Sequence, residues 1–434
     1  MKQNNNNIKH LYILFHGLWG NHKHMHAIRD YLLEYNETTQ RDSSAHEIVV
    51  FIPCKSGYFK TFDGIDIVGD RTFIEIMEFL KENDYAFQYI SCIGYSMGGL
   101  VARYCMGKLY AANVFSRMKP KSFITFATPH IGVEFFNKQN YFYNLLRLLG
   151  CTFLGRSGRQ LFIKGSYRKL LVELVTKDIF VKGLEVFENK LVFCNVENDR
   201  VVSFYTSFIT NKCEKCDYSV RENDFEHIIP RETFIVDVTV PPKTNLIASA
   251  NSDYNVLNIV KLVSKFSILT LLGVLLSPFI LLLNLGGTLY SYYSVSVFKL
   301  AAKNFENYQL ISDDDISSDW EEVRSVAYPK DTTTGESKEW SSFILKYSQN
   351  DDNFNQPNSK PLDLDQDRSI IYKNLSNIKW IRIPYYLKTF NSHRTIVARD
   401  GIEHVNDQGR KTLKFSIKLI IFLQNNTNID NKIQ

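Results

Sequence analysis

Residues 89–109 read as a short β-prone run, Tyr89 to Ile93, then Gly-Tyr-Ser-Met-Gly-Gly, then a helix-patterned stretch from Leu100 to Leu109. Few units constrain a fold so tightly. A serine with glycine two positions before and after it, set between strand and helix, demands a turn in which backbone segments nearly touch. Bulky side chains at Gly94 or Gly98 would strike neighbouring backbone, and the turn lifts the Ser96 hydroxyl clear of the strand end. The helix amino terminus beside it adds positive potential. A plain strand-to-helix turn with Ser96 as the helix cap would use the same glycines, but the strand-before, helix-after context favours a nucleophile at Ser96 on an elbow made by Gly94 and Gly98.

The same alternation recurs on both sides. Leu11 to Phe15 is a short apolar run that stops at His16-Gly17, Glu47 to Pro53 repeats the pattern, and Ser122 to Ala127 and Leu191 to Val196 each end in polar residues. Short apolar runs of this kind read as parallel strands buried on both faces. Between them His26 to Tyr35 is helix-like, and Thr72 to Asn83 sets Phe73, Ile76, Met77 and Leu80 at helical spacing. Strands alternating with helices predict an α/β architecture built on a mostly parallel, doubly wound sheet. In such sheets function sits at the carboxyl ends of strands, where HGLWG, GYSMG, ATPHIG and NVENDR all fall.

A serine hydroxyl needs a base, and the base needs a carboxylate to hold its tautomer, in the chain order Ser, then Asp or Glu, then His. Asp199, in the loop ENDRVVS after a strand, is the chosen carboxylate, with Glu197 and Asp237 in reserve; an Asx-type turn with Asn198 is its bland alternative. His393, in NSHRTIVARD before a β-like run, is the chosen base and His404 the runner-up, while His227 lies in a polar run. His130 precedes Asp199, against the expected order, and is read as shaping the pocket. His16 is read as ordering its loop. An oxyanion hole needs one N–H from the residue after the nucleophile and one from an earlier strand-end loop, which points to Met97 and Leu18, with Gly17 allowing close approach. No metal or organic cofactor is required by this chemistry.

Bulk properties narrow the classes. A net charge of +5, from 51 basic and 46 acidic residues, is too balanced for a nucleic-acid binder. A hydrophobic content of 44% supplies a large core. The 7 cysteines form no framework and the start, Met1 to His10, is polar and Asn-rich, so an intracellular, reducing setting is expected. Cys213 and Cys216 form a lone CxxC, read as an exposed loop and not as a zinc site. Between Lys265 and Lys299 there is no charged residue, and ILTLLGVLLSPFILLL approaches the length that crosses a bilayer. Pro278 and Gly286-Gly287 interrupt it, so a hairpin lying in one leaflet is expected ahead of a full span. The greasy stretch between Phe135 and Leu174 is either a lid or acyl-chain wall, or plain core.

The expected organisation is a core over 8–245, an apolar membrane- or droplet-associating segment over 246–311, an acidic and polar disordered linker over 312–368, and a return to the core over 369–424 carrying the catalytic histidine.

Together HGLWGN, GYSMGGLVARY, FATPHIGV, NDRVVSFYTS and SHRTIVARD resemble the putative serine esterase family of the α/β-hydrolases, over roughly Lys9 to Val240 and Lys379 to Asn406. The resemblance implies the α/β-hydrolase fold and a triad of Ser96, Asp199 and His393. It also implies hydrolysis of acyl esters in glycerophospholipids or lysophospholipids by an enzyme seated on a lipid-droplet surface, on its cytoplasmic face or at the endoplasmic reticulum membrane. Monoacylglycerol hydrolysis is the alternative within the family. A membrane adaptor that keeps the fold without the chemistry is the alternative of another class.

Overall fold

The computed structural model describes residues 8–39, 47–134, 154–165, 169–197, 199–212, 228–231, 233–236, 289–298, 335–348 and 361–425, with single or short positions at 225 and between 275 and 287. Six strands form one sheet: β1 Lys9–Phe15, β2 Glu47–Phe51, β3 Tyr89–Tyr95, β4 Lys119–Phe126, β5 Asn189–Asn195 and β6 Ile381–Tyr385, in the order β2-β1-β3-β4-β5-β6. Every neighbouring pair is parallel. The order reverses at β1/β3, which sets Ser96 near the middle of the sheet at its carboxyl edge, where ligands bind in open parallel sheets.

β1 and β3 to β6 are buried along nearly their whole length because both faces are covered. Leu11, Ile13 and Phe15 of β1 enter one core, whereas Tyr12 and Leu14 enter the other. The helices are α1 His26–Thr39, α2 Ile65–Glu82, α3 Met97–Ala111, α4 Gly155–Leu161, α5 Lys169–Thr176, α6 Asp178–Glu185, α7 Phe204–Phe208, α8 Gly335–Tyr347, α9 Gln366–Ser376, α10 Ser392–Thr395 and α11 Asp407–Asn425. The first core holds buried side chains of α2, α3, α5, α6 and α9; the second holds those of α1, α8 and α11. Period-two strands and period-3.6 helices thus meet on both faces, as a doubly wound sheet requires.

Three expectations change. Residues 312–368 are not one polar linker: within them α8 buries Trp340, Phe343, Ile344 and Tyr347, and the chain is again in place from Pro361, where Leu362 N–H donates to Asn211 O at 2.6 Å. The four buried positions follow helical spacing, which the polar residues around them conceal. Helix α2 begins at Ile65, ahead of the expected Thr72, because Gly64 enters it with φ 113 and no side-chain cap to announce it. The residues after His393 form α10 and turns, with no strand.

In the stretch between Phe135 and Leu174, the parts in α4 and α5 are core: Leu161, Leu170, Leu171 and Leu174 are buried. FFNKQNYFYNLLRLLG lies outside the described residues, as do Cys213, Cys216, Asn198, His227, Asp237, most of 246–311 and the acidic run from Ser312. Among the described residues no helix is long and apolar enough to cross a membrane.

Candidate active site

Strand β3 ends at Tyr95 and α3 begins at Met97, so Ser96 alone makes the turn, with φ 56 and ψ −131. That conformation is strained for a residue with a Cβ and persists only where the surroundings force it. The forcing is visible at the glycines. A Cβ on Gly94 would lie 2.4 Å from Gly99 Cα, and one on Gly98 would lie 2.2 Å from Phe15 O. The Ser96 N–H donates to Phe126 O at 2.9 Å, which ties the turn to β4.

His393 reaches this point from nearly 300 residues further along the chain. Its Nε2 lies 3.0 Å from Ser96 Oγ and its Nδ1 lies 2.9 Å from Asp199 Oδ2. An ionised carboxylate only accepts, so Nδ1 carries the proton and Nε2 is left as an acceptor facing the hydroxyl. The second oxygen of Asp199 is also engaged: Oδ1 accepts from Val201 N–H at 3.0 Å and Val202 N–H at 2.8 Å. The Asx-type turn thus exists, but its acceptor is one carboxylate oxygen while the other faces His393. Both side chains are 4% exposed, which shields the pair from water.

Three residues that local sequence reasoning missed hold the imidazole loop in place. The Tyr95 hydroxyl donates to His393 O at 2.9 Å, Asn195 Nδ2 donates to Ser392 O at 3.2 Å, and Ser392 Oγ donates to Glu197 O at 3.0 Å. These fasten α10 to the ends of β3 and β5 and to the Asp199 loop. Their only sequence signal is position, polar groups at strand ends beside the motif.

The loop His16 to Gly20 lies against the nucleophile, since a Cβ on Gly17 would lie 2.7 Å from Ser96 Cβ and 3.2 Å from Ser96 Oγ. Its Trp19 N–H is already taken by Thr61 Oγ1 at 2.9 Å, and Gly20 N–H by Gly17 O at 3.1 Å. Leu18 lies between Gly17 and Trp19 in this loop, and Met97 N–H opens α3, among the first-turn donors that a helix leaves without an internal partner. His16 holds its loop: burial lowers its pKa, and its Nδ1 sits 3.1 Å from Gly17 O.

The remaining candidates lie apart from Ser96. His404 is on the surface beside Glu403, 3.4 Å away. Glu197 contributes only its backbone carbonyl to Ser392. His130 is in the core, its Nε2 2.9 Å from Thr125 Oγ1 and its ring 5.6 Å from Trp380, so it does not line the Ser96 pocket. Burial first, then the nearby Arg103 charge, pushes its pKa well down. Among the described residues no group of His, Cys, Asp and Glu side chains could hold a metal ion.

The putative serine esterase family matches residues 5–215. Over this stretch the chain is similar to that family. Relatives among curated proteins include the putative lipase ROG1 of Saccharomyces cerevisiae, 27% identical over 203 residues, which is 46% of this chain and 28% of that protein. A putative lipase of Schizosaccharomyces pombe is 28% identical over 210 residues, 46% of this chain and 26% of its own length. The chain therefore matches less than a third of the length of these relatives. Of solved structures, phospholipase PlaB from Legionella pneumophila superposes over 45% of this chain and 39% of its own, with a TM-score of 0.30 and 18% identity.

Proposed function

We propose that the chain is a serine hydrolase that cleaves acyl esters of lipids through an acyl-enzyme. The observation that carries this reading is the continuous path from Ser96 Oγ to His393 at 3.0 Å and from His393 to Asp199 at 2.9 Å. Ser96, giving its proton to His393 Nε2, attacks the ester carbonyl while Asp199 stabilises the imidazolium that forms. The N–H groups of Leu18 and Met97 receive the negative charge that develops on the carbonyl oxygen. The imidazolium then protonates the departing alcohol. Water, deprotonated by the same imidazole, attacks the acyl-enzyme and releases the fatty acid, returning Ser96 to its starting state.

Glycerophospholipids and lysophospholipids are the proposed substrates, met at the surface of a lipid droplet from its cytoplasmic face. The run without charge between Lys265 and Lys299 supports a lipid-bound enzyme. A droplet carries a single leaflet over neutral lipid, which suits an apolar hairpin better than a spanning helix. The naming of the relatives as lipases supports the substrate class.

A fluorophosphonate probe tests the chemistry, because it labels an activated serine and not merely the fold. Labelling of the wild type that is lost in Ser96→Ala supports the hydrolase. An unlabelled wild type favours the adaptor reading. Release of monoacylglycerol-derived fatty acid with intact phospholipid would replace the proposed substrate by the alternative one.

A further inference from the structure

Among the described residues, the large apolar side chains that face solvent are not scattered. Val186 and Leu345 apart, they lie on loops at the carboxyl edge of the sheet or at helical positions between 275 and 298. On one side of Ser96, Trp19 and Phe59 meet edge to face with centroids 4.6 Å apart. On the other side stand Val201, next to the Asp199 turn, and Phe390, on the loop that carries His393. Phe390 is 79% exposed, and no folding argument places an aromatic ring there.

The helical residues 289–298 are held to this same edge by a buried polar tether. Arg71 Nη1 donates to Asp63 Oδ2 at 2.6 Å, Arg71 Nη2 donates to Ser294 Oγ at 2.9 Å, and Ser294 Oγ donates to Asp63 Oδ2 at 3.2 Å. The Arg71 guanidinium also lies 5.1 Å from the centre of the Phe298 ring. A Cβ on Gly287 would come 3.5 Å from Phe59, so the apolar segment adjoins the loop beside Trp19.

We propose that this edge is a docking surface for a phospholipid leaflet, with the Ser96 opening facing the lipid. The proposal rests on the lipid-ester reading above and states how the enzyme meets its substrate. The occupant follows from the surface itself. Leu289, Tyr292, Tyr293 and Val297, spaced i, i+3, i+4 and i+8, share the solvent-facing side of the helix, opposite buried Ser291, and an apolar, tyrosine-bearing face of this kind lies flat on a leaflet. Tyrosines with an apolar body and a polar tip settle at the boundary between headgroups and acyl chains. The Arg200 guanidinium lies 3.8 Å from the Phe390 ring centre, a cation beside an anchoring ring, as phosphate headgroups favour.

The test uses the full chain and phosphatidylcholine vesicles, with flotation for binding and a soluble short-chain ester for turnover. Phe390→Ser is expected to weaken vesicle binding about tenfold, and Leu289→Ser with Tyr293→Ser about a hundredfold, about tenfold for each large apolar side chain no longer buried. The helix double variant is expected to hydrolyse the soluble ester at the wild-type rate, which also shows that it folds. Leu345→Ser, an exposed apolar position away from the Ser96 edge, is expected to change neither reading. Wild-type binding by the variants, an equal loss in Leu345→Ser, or a wild type that does not float would each overturn the docking surface. A wild type that floats, with the expected variant pattern, but turns over no ester would uphold the docking surface and contradict the hydrolase.

Discussion

The Tyr95 hydroxyl donates a 2.9 Å hydrogen bond to the backbone carbonyl of His393, across 298 positions of sequence. Tyr95 also precedes the nucleophile, so one residue fixes both the start of the turn and the loop that brings the base. Tyr95→Phe keeps the ring, which packs 5.0 Å from the imidazole, and removes the hydroxyl's bonds to the His393 carbonyl and to Arg399. Leaving a buried carbonyl unpaired costs about 1–3 kcal/mol. We expect kcat on a soluble ester to fall about tenfold, the effect of about 1.4 kcal/mol, with KM little changed. Unchanged kcat would show that the His393 loop holds itself.

Gly98→Ala places a methyl group 2.2 Å from Phe15 O, and neither partner is a flexible side chain. Overpacking of this kind costs about 1–3 kcal/mol and more where backbone must move. The denaturant midpoint is expected to drop, together with fluorophosphonate labelling, because the strained Ser96 turn cannot close. A variant of normal stability and labelling would contradict the close approach of β1 and α3.

Trp340→Ala examines α8, the helix inside the polar region. Trp340 is buried and stacks on Phe415 and Phe422 of α11 at 5.4 Å each. Removing it is expected to cost about 3–5 kcal/mol, read from a urea midpoint. A shift near zero would return 335–347 to the status of a linker.

Acid should weaken the fold before the carboxylates titrate. Burial, assisted by the Arg399 charge, lowers the pKa of His24 to about 4, and burial lowers His16 and His130 as well. An unfolded imidazole titrates near 6.5. Between those values the unfolded chain binds more protons than the folded one, so stability is complete above about pH 6.5 and falls as the pH drops. The urea midpoint is expected to be lower at about pH 5 than at about pH 7.5, and His24→Gln should narrow that gap. Parallel losses in both proteins would show that His24 is not held neutral.

What could be read from the sequence is what short stretches determine. GYSMG between strand and helix needs no distant partner to be recognised, and the parallel strands announce themselves because both faces are buried. The order Ser, Asp, His then limits the partners to a few residues, and Asp199 and His393 are the ones brought to Ser96. What the sequence hides depends on distant contacts or on masking composition. Tyr95, Asn195 and Ser392 acquire their roles only when β3, β5 and α10 meet. Helix α8 is hidden by the acidic and Asn-rich residues around it, and the start of α2 by the absence of a capping side chain at Gly64. β6 contains Pro384, which lacks the donor a central strand needs, yet an edge strand tolerates it. That edge is covered by residues 234–236, where Val236 N–H donates to Pro384 O at 2.9 Å.

Fatty-acid release from defined phospholipid, lysophospholipid and monoacylglycerol by the purified wild type, beside Ser96→Ala, Asp199→Asn and His393→Ala, tests the central claim most directly. The account predicts release by the wild type, loss to background in Ser96→Ala and His393→Ala, and a fall of about 10⁴-fold in kcat for Asp199→Asn, whose amide would hold the wrong tautomer. Release that persists at the wild-type rate in Ser96→Ala would contradict it.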